Sequence, residues 1–74
     1  MDQLTDIANL VRMNKGLPAL PALTPDMRLR EDLGFDSLDL AELTARIDER
    51  FHVDVFAAGI VFTVGEIAER LRRG

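Results

Sequence analysis

Apolar residues recur at helical spacing in three separate segments of this 74-residue chain, and this pattern most constrains its fold. The segments cover residues 2–14, residues 37–50 and the stretch that follows Thr63. Their apolar positions are Leu4, Ile7, Ala8, Leu10 and Val11, then Leu40, Leu43, Ile47 and Phe51, then Val64, Ile67, Ala68 and Leu71. We therefore predict an all-α bundle with three main helices.

Capping residues mark where the predicted helices begin and end. Asp36 is a suitable N-cap for the second helix, with Asp39 three residues further on. Thr63 and Glu66 have the spacing of a capping box, which predicts the start of the third helix. Gly16 is expected to end the first helix.

The long connection at residues 16–35 contains the three prolines of the chain. A loop of this length is unusual in a small domain unless it is anchored or functional. Its apolar residues predict that it is held across the core, and they are Leu17, Leu20, Leu23, Met27, Leu29 and Leu33. The Thr-Pro-Asp sequence at 24–26 predicts the start of a short helical turn.

The second connection, residues 52–62, is short, apolar and poorly periodic. We predict one helical turn in it, near Val55 to Ala58 and ended by Gly59. With this short helix the complete fold would be a small four-helix bundle with a long first loop.

The chain is small, lacks cysteine and carries a net charge of −4. It reads as a single domain, residues 1–74, that depends on an apolar core. Five acids and two arginines lie in residues 36–51, which argues against a nucleic-acid partner and favours a basic protein surface. No signal peptide is visible, and no apolar run approaches the roughly 20 residues of a membrane span. We expect a free-standing cytoplasmic monomer.

Few residues of the chain could support catalysis. His52, the single histidine, lies a helix length from Ser37, about 20 Å at 1.5 Å per residue, which is too far for a Ser-His-Asp triad. The acids near the start of the second helix lack the spacing of a calcium loop. Gly34 stands alone and does not form a phosphate-binding glycine loop. We expect neither an enzyme nor a metal site.

Ser37 is the residue best placed for chemistry. It follows the predicted N-cap Asp36, where backbone N–H groups are unpaired and the helix dipole favours negative charge. A hydroxyl there is well suited to carry a phosphate ester. The alternative is an ordinary first-turn serine, which is common in helices.

A second apolar stripe on the same helix consists of Leu38, Ala41 and Ala45. It is centred about 140° from the core stripe and is bordered by Glu42 and Glu49. An apolar strip with an acidic rim is typical of a small protein-binding patch. The alternative is that both stripes are buried in a crowded bundle.

Residues 33–38 read LGFDSL and are followed, three residues later, by Glu42 and Leu43. This run closely resembles the phosphopantetheine attachment motif of acyl carrier proteins, an LGxDSL core followed by Glu-Leu. Its place halfway along the chain, after a long loop and at the start of a helix, also resembles the family. The resemblance implies a four-helix bundle that carries acyl groups as thioesters on a 4′-phosphopantetheine arm.

The resemblance also implies roles for individual residues. Ser37 would be the attachment site, and Asp36 would cap the helix and help present the serine to a phosphopantetheinyl transferase that uses coenzyme A. The surface for partner enzymes would consist of Leu38, Asp39, Ala41, Glu42, Ala45, Asp48 and Glu49. Positions in the core, some of them lining an acyl-sheltering cavity, would be Leu43, Ile47, Phe51, Ile67 and Leu71.

Implied partners are the transferase, an acyl-loading ligase or acyltransferase, and a ketosynthase or other acyl-processing enzymes of fatty-acid, polyketide or specialised lipid biosynthesis. The modest net charge and Arg46 in the acidic face favour a specialised pathway over primary fatty-acid synthesis. Two alternatives stay open. One is a peptidyl or aminoacyl carrier loaded by an adenylate-forming ligase, which Asp36 before the serine makes less favoured. The other is an unmodified helical interaction module.

Overall fold

The computed structural model describes residues 2–57 and 59–73, and within them it contains three α-helices. These are α1 (Asp2–Asn14), α2 (Ser37–Phe51) and α3 (Val64–Arg73). The described residues form no strand beyond an isolated antiparallel bridge between Arg28 and Thr63. None of the helices in this part of the chain is long and apolar enough to cross a membrane. The predicted all-α class and the starts of the three main helices are confirmed, and α2 extends one residue beyond its predicted end at residue 50.

Capping boxes begin α2 and α3, as predicted. The Asp36 side chain accepts from the Asp39 backbone N–H at 2.9 Å, and the Asp39 side chain accepts from the Asp36 N–H at 3.0 Å. At the start of α3, the Glu66 side chain accepts from the Thr63 N–H at 3.1 Å, and the Thr63 hydroxyl oxygen accepts from the Glu66 N–H at 3.3 Å. Gly16, just beyond α1, has φ of 84°, the left-handed conformation that typically ends a helix.

The core lies between the inner faces of the three helices and the two connections. α1 contributes Leu4, Ile7, Ala8 and Val11, α2 contributes Leu40, Leu43 and Ile47, and α3 contributes Val64 and Ile67. The connections add Leu23, Leu29, Leu33, Phe35, Val55 and Val61. Of the apolar positions on α1, Leu10 faces solvent, so the helix buries a narrower stripe than its spacing suggests.

The long loop between α1 and α2 is anchored on the core, as predicted. Buried Arg12 of α1 donates to the carbonyl oxygens of Pro18 at 3.1 Å and Leu33 at 2.5 Å. The Asn9 side-chain amide donates to the Leu20 carbonyl at 2.8 Å, and its oxygen accepts from the Leu20 N–H at 2.7 Å. Polar side chains of α1 therefore satisfy backbone groups of the loop, which the apolar pattern did not reveal.

The loop also packs closely against the first turn of α3. The Gly65 N–H donates to the Pro25 carbonyl at 2.9 Å, and a Cβ at position 65 would lie only 3.0 Å from that oxygen. The short turn predicted to start at residues 24–26 is present, and a 3.1 Å bond from the Met27 N–H to the Thr24 carbonyl closes it. Because the Met27 carbonyl accepts from Val64, the backbone here bonds to α3 and does not continue a helix.

The connection between α2 and α3 forms turns in the residues that the structure describes. The N–H groups of Ala57 and Gly59 donate to the carbonyls of Asp54 and Phe56, at 3.1 and 3.0 Å. The short fourth helix predicted here is not among the helices of residues 2–57 and 59–73. Ala58, which was part of that prediction, lies outside the described residues.

Candidate functional site

Ser37 is the first residue of α2 and is exposed. Its Oγ accepts a hydrogen bond from the Arg30 guanidinium at 3.2 Å. Asp36, the N-cap, has extended backbone and uses its side chain to bind the Asp39 N–H. The serine hydroxyl therefore stays at the surface beside the positive end of the α2 dipole.

The residues before Ser37 explain why it reaches the surface. Leu33 and Phe35 are both buried, at 1% and 2% exposure, and Gly34 between them has φ of 77°. This left-handed conformation, which glycine adopts without strain, lets both flanking side chains enter the core. The Phe35 N–H also bonds to the Leu29 carbonyl at 3.0 Å, so the chain enters α2 from a fixed position.

Lys15, just after α1, binds the start of α2. Its ammonium donates to the Gly34 carbonyl at 2.7 Å and forms an ion pair with the Asp39 carboxylate. Together with the N–H of Asp36, the hydrogen bond from Lys15 holds the pKa of the Asp39 carboxyl below its usual value, and the lysine has the larger effect. Asp39 is 14% exposed, and its carboxylate belongs to the frame that positions Ser37.

Replacing Asp39 with asparagine is expected to make the free energy of unfolding fall less steeply as the pH is lowered into the acid range. Because the pKa is lowered in the folded state, the carboxylate stabilises the fold above its unfolded pKa of about 3.9. This contribution is lost as pH falls through the folded pKa. Urea unfolding of wild type and Asp39→Asn across this range measures the difference. Asp48→Asn, on the exposed side of α2, is the charge-matched control, and identical slopes in the acid range for wild type and Asp39→Asn would contradict the assignment.

A cleft of about 440 Å³ opens beside Ser37. Its lining residues are Ser37, Leu40, Ala41 and Thr44 on one face of α2, with Asp54 and Phe56 from the following turns. Arg70 of α3 fixes these turns by donating to the carbonyls of Val55 at 2.6 Å and Gly59 at 2.5 Å. A group attached to Ser37 would therefore have space between α2 and the turns that follow it, which Arg70 of α3 holds in place.

A larger cavity of about 750 Å³ includes Phe51 and Leu71 in its lining. Phe51 is 14 residues from Ser37 along α2, which corresponds to about 21 Å. Leu43, Ile47 and Ile67, in contrast, are at most 1% exposed and belong to the packed core. Of the five positions predicted to line the core or an acyl-sheltering cavity, three are therefore packed in the core. The other two, Phe51 and Leu71, line a cavity whose Phe51 end is far from Ser37.

The second apolar stripe of α2 lies at the surface, as predicted. Leu38 is 80% exposed, and Ala41 and Ala45 are also exposed. Leu38 is adjacent to Ser37, so the stripe begins next to the candidate site. Burial of both stripes in a crowded bundle is excluded.

The acidic residues beside this stripe differ in their surroundings: some are exposed, and others bind neighbouring side chains. Asp48 and Glu49 are exposed. Glu42 is half-buried and accepts from Arg46 at 2.9 Å, and from the Asn14 side chain at 3.3 Å. Arg46 therefore partly neutralises the acidic face that surrounds the stripe.

Other candidate chemistries find no support in the geometry. His52 is the C-cap of α2, at the opposite end of the helix from Ser37. Among residues 2–57 and 59–73, no three acidic or histidine side chains are grouped to hold a metal ion. An exposed serine at a helix N-terminus, where negative charge is favoured, is compatible with a domain that is modified on that serine.

The comparison with protein families agrees with this class. Residues 3–71 match the family described as "Phosphopantetheine attachment site". Because the match covers nearly the whole chain, the protein belongs to this family of prosthetic-group carriers. The domain carries the attachment site for 4′-phosphopantetheine, it is not an enzyme, and its role implies contacts with modifying transferases and acyl-processing enzymes. No solved structure matches the chain.

Proposed function

We propose that Ser37 is the residue that carries 4′-phosphopantetheine and that the protein is an acyl carrier protein. The observation that carries this proposal is the exposed Ser37 hydroxyl at the first position of α2, within LGFDSL. Ser37 is also the only serine of the chain. The prosthetic group fits this site, because a helix N-terminus favours the negative charge of a phosphodiester and the adjacent cleft is open.

Each surrounding residue has a defined part in this function. Asp36 caps α2 and keeps Ser37 at its first position, while Lys15 and Asp39 hold the start of α2 against the end of α1. When bound, the prosthetic group supplies a thiol that holds an acyl group as a thioester. A flexible arm raises the effective concentration of that acyl group at the active site of a docked enzyme.

Partner enzymes are proposed to bind the exposed side of α2. The surface comprises Leu38, Asp39, Ala41, Glu42, Ala45, Asp48 and Glu49. Its exposed apolar stripe supplies the centre, and the exposed carboxylates of Asp48 and Glu49 face lysines and arginines of the partner. Each exposed ion pair contributes about 0.2–1 kcal/mol, so binding is transient and weakens with salt. Such binding suits a carrier that visits several enzymes in turn.

Replacing Ala41 with arginine is expected to slow modification by the transferase about tenfold, which corresponds to about 1.4 kcal/mol. The long cationic side chain would lie in the middle of the exposed stripe and oppose a basic partner. Initial rates of mass gain, at protein concentrations well below saturation, measure the effect. Ala22→Arg makes the same change at an exposed alanine of the long loop and is expected to react like wild type. Equal rates for the two variants would argue against docking on this face.

The cargo is proposed to be an acyl group of fatty-acid, polyketide or specialised lipid biosynthesis. The modest net charge and the Glu42–Arg46 pair support a specialised pathway, because they weaken the acidic face. An acyl-loading ligase or acyltransferase and a ketosynthase are the proposed partners beside the transferase. A cytoplasmic monomer completes the proposal.

The testing experiment is intact mass spectrometry before and after incubation with coenzyme A, magnesium and a broad-specificity phosphopantetheinyl transferase. A gain of one phosphopantetheinyl group, located by peptide mapping on the fragment that contains Ser37, is the expected result. Circular dichroism of the same sample establishes that the protein is folded. A folded protein that gains no mass would contradict the proposal and favour an unmodified interaction module.

A further inference from the structure

Arg30 places a cationic side chain on the oxygen of Ser37. Its Nη2 donates to Ser37 Oγ at 3.2 Å across seven residues of sequence. None of the ion pairs formed within residues 2–57 and 59–73 includes Arg30. Arg28, two residues earlier, differs in this respect, because Asp32 binds its guanidinium at 3.1 and 3.2 Å. The Arg30 charge therefore remains available at the serine.

The backbone around Arg30 is held in place. The neighbouring Leu29 is 1% exposed, and its N–H donates to the Phe62 carbonyl at 2.9 Å. The Leu29 carbonyl accepts from Phe35 at 3.0 Å, which links the Arg30 segment to the residues just before Ser37. A side chain that projects from a fixed backbone loses less freedom when it binds a ligand than one from a mobile loop.

The two acidic residues nearest to Ser37 in sequence already bind other groups of the protein. Asp36 accepts the Asp39 N–H, and Asp39 pairs with Lys15. A negative group added to Ser37 Oγ would also be near the carboxylate of the adjacent Asp36, and a cation at that oxygen would offset the repulsion between them. Arg30 is the guanidinium that contacts that oxygen.

We propose that Arg30 binds the phosphodiester that joins Ser37 to its prosthetic group. This inference rests on the proposed modification of Ser37. The phosphorus would be bonded to the same oxygen that Arg30 contacts, and a guanidinium has planar N–H donors that match phosphate oxygens. Arg30 is thus a positioning residue, which neutralises the phosphodiester and restricts the direction in which the arm leaves the protein.

The test compares the phosphorus-31 NMR signal of the modified protein in wild type, Arg30→Gln, Arg30→Lys and Arg50→Gln. Arg50, an exposed residue near the other end of α2, is the charge-matched control. We expect the Arg30→Gln signal to move away from that of wild type, the Arg30→Lys signal to move less, and the Arg50→Gln signal to coincide with wild type. Added salt should shift wild type towards Arg30→Gln and leave Arg30→Gln nearly unchanged.

Two further measurements keep the outcomes distinct. Intact mass establishes that each variant is fully modified before its spectrum is recorded, so a failure of Ser37 to react would count against the proposed function and not against Arg30. The guanidinium N–H signals of Arg30 in wild type, including those of the contacting Nη2, are compared before and after modification and test the contact without any variant. Coincident phosphorus signals for wild type and Arg30→Gln, or Arg30 guanidinium signals that modification leaves unmoved, would overturn the inference.

Discussion

Replacing Ser37 with alanine is expected to abolish the phosphopantetheinyl mass gain completely and to leave the fold intact. Among the residues that the structure describes, the exposed hydroxyl accepts one hydrogen bond, from Arg30, and alanine is compatible with the first turn of a helix. The free energy of unfolding should therefore change by no more than about 0.5 kcal/mol. Intact mass after incubation with coenzyme A and transferase, together with a urea unfolding curve, measures both properties.

Thr44→Ala is the matched hydroxyl control for this experiment. Thr44 lines the same cleft as Ser37, and its hydroxyl donates to the Leu40 carbonyl at 2.8 Å. We expect this variant to gain the same mass as wild type. A gain on folded Ser37→Ala would contradict the assignment and place the arm on one of the four threonines, the other hydroxyl-bearing residues of the chain.

The helices and their starting points could be predicted because the interactions that define them are local in sequence. The capping box of α2 joins Asp36 to Asp39, and that of α3 joins Thr63 to Glu66, in each case across three residues. The division of α2 into a buried and an exposed stripe also follows from helical periodicity. Ser37 was therefore correctly placed at the exposed start of α2, although its modification is a proposal.

The side chains that surround Ser37 could not be predicted, because their partners are distant in sequence. Lys15 and Asp39 are 24 residues apart, and they meet only because the long loop returns the chain to the end of α1. Arg30 lies in that loop, which has no periodic pattern to show where its side chains point. No sequence pattern marked Lys15 or Arg30, whereas the path of the loop makes them part of the site.

In the segment after α2, tertiary contacts replace the hydrogen bonds of the predicted short helix. In an α-helix the Val55 carbonyl would accept from the N–H of residue 59. In the structure that carbonyl accepts from Arg70, and the Gly59 N–H donates to Phe56. Because Arg70 belongs to α3, the sequence of residues 52–62 alone could not reveal this competition.

Replacing Arg12 with methionine is expected to lower the free energy of unfolding by about 2–4 kcal/mol. Methionine retains much of the length of arginine but removes the donors that bind the carbonyls of Pro18 and Leu33. The Leu33 carbonyl bond is buried, so its oxygen would be left without this partner in the interior. For a domain whose total stability is about 4–11 kcal/mol, this loss is large.

Urea unfolding of wild type, Arg12→Met, Arg12→Lys and Arg50→Met separates packing from hydrogen bonding. Arg12→Lys keeps the charge but offers one compact ammonium in place of a fork, so it should fall between wild type and Arg12→Met. Arg50→Met removes an exposed arginine from α2 and should change stability by no more than about 0.5 kcal/mol. Equal midpoints for Arg12→Met and Arg50→Met would show that Arg12 does not anchor the loop. The expected order places Arg12 among the residues on which the site depends, because the loop it anchors carries Arg30 and leads directly into Ser37.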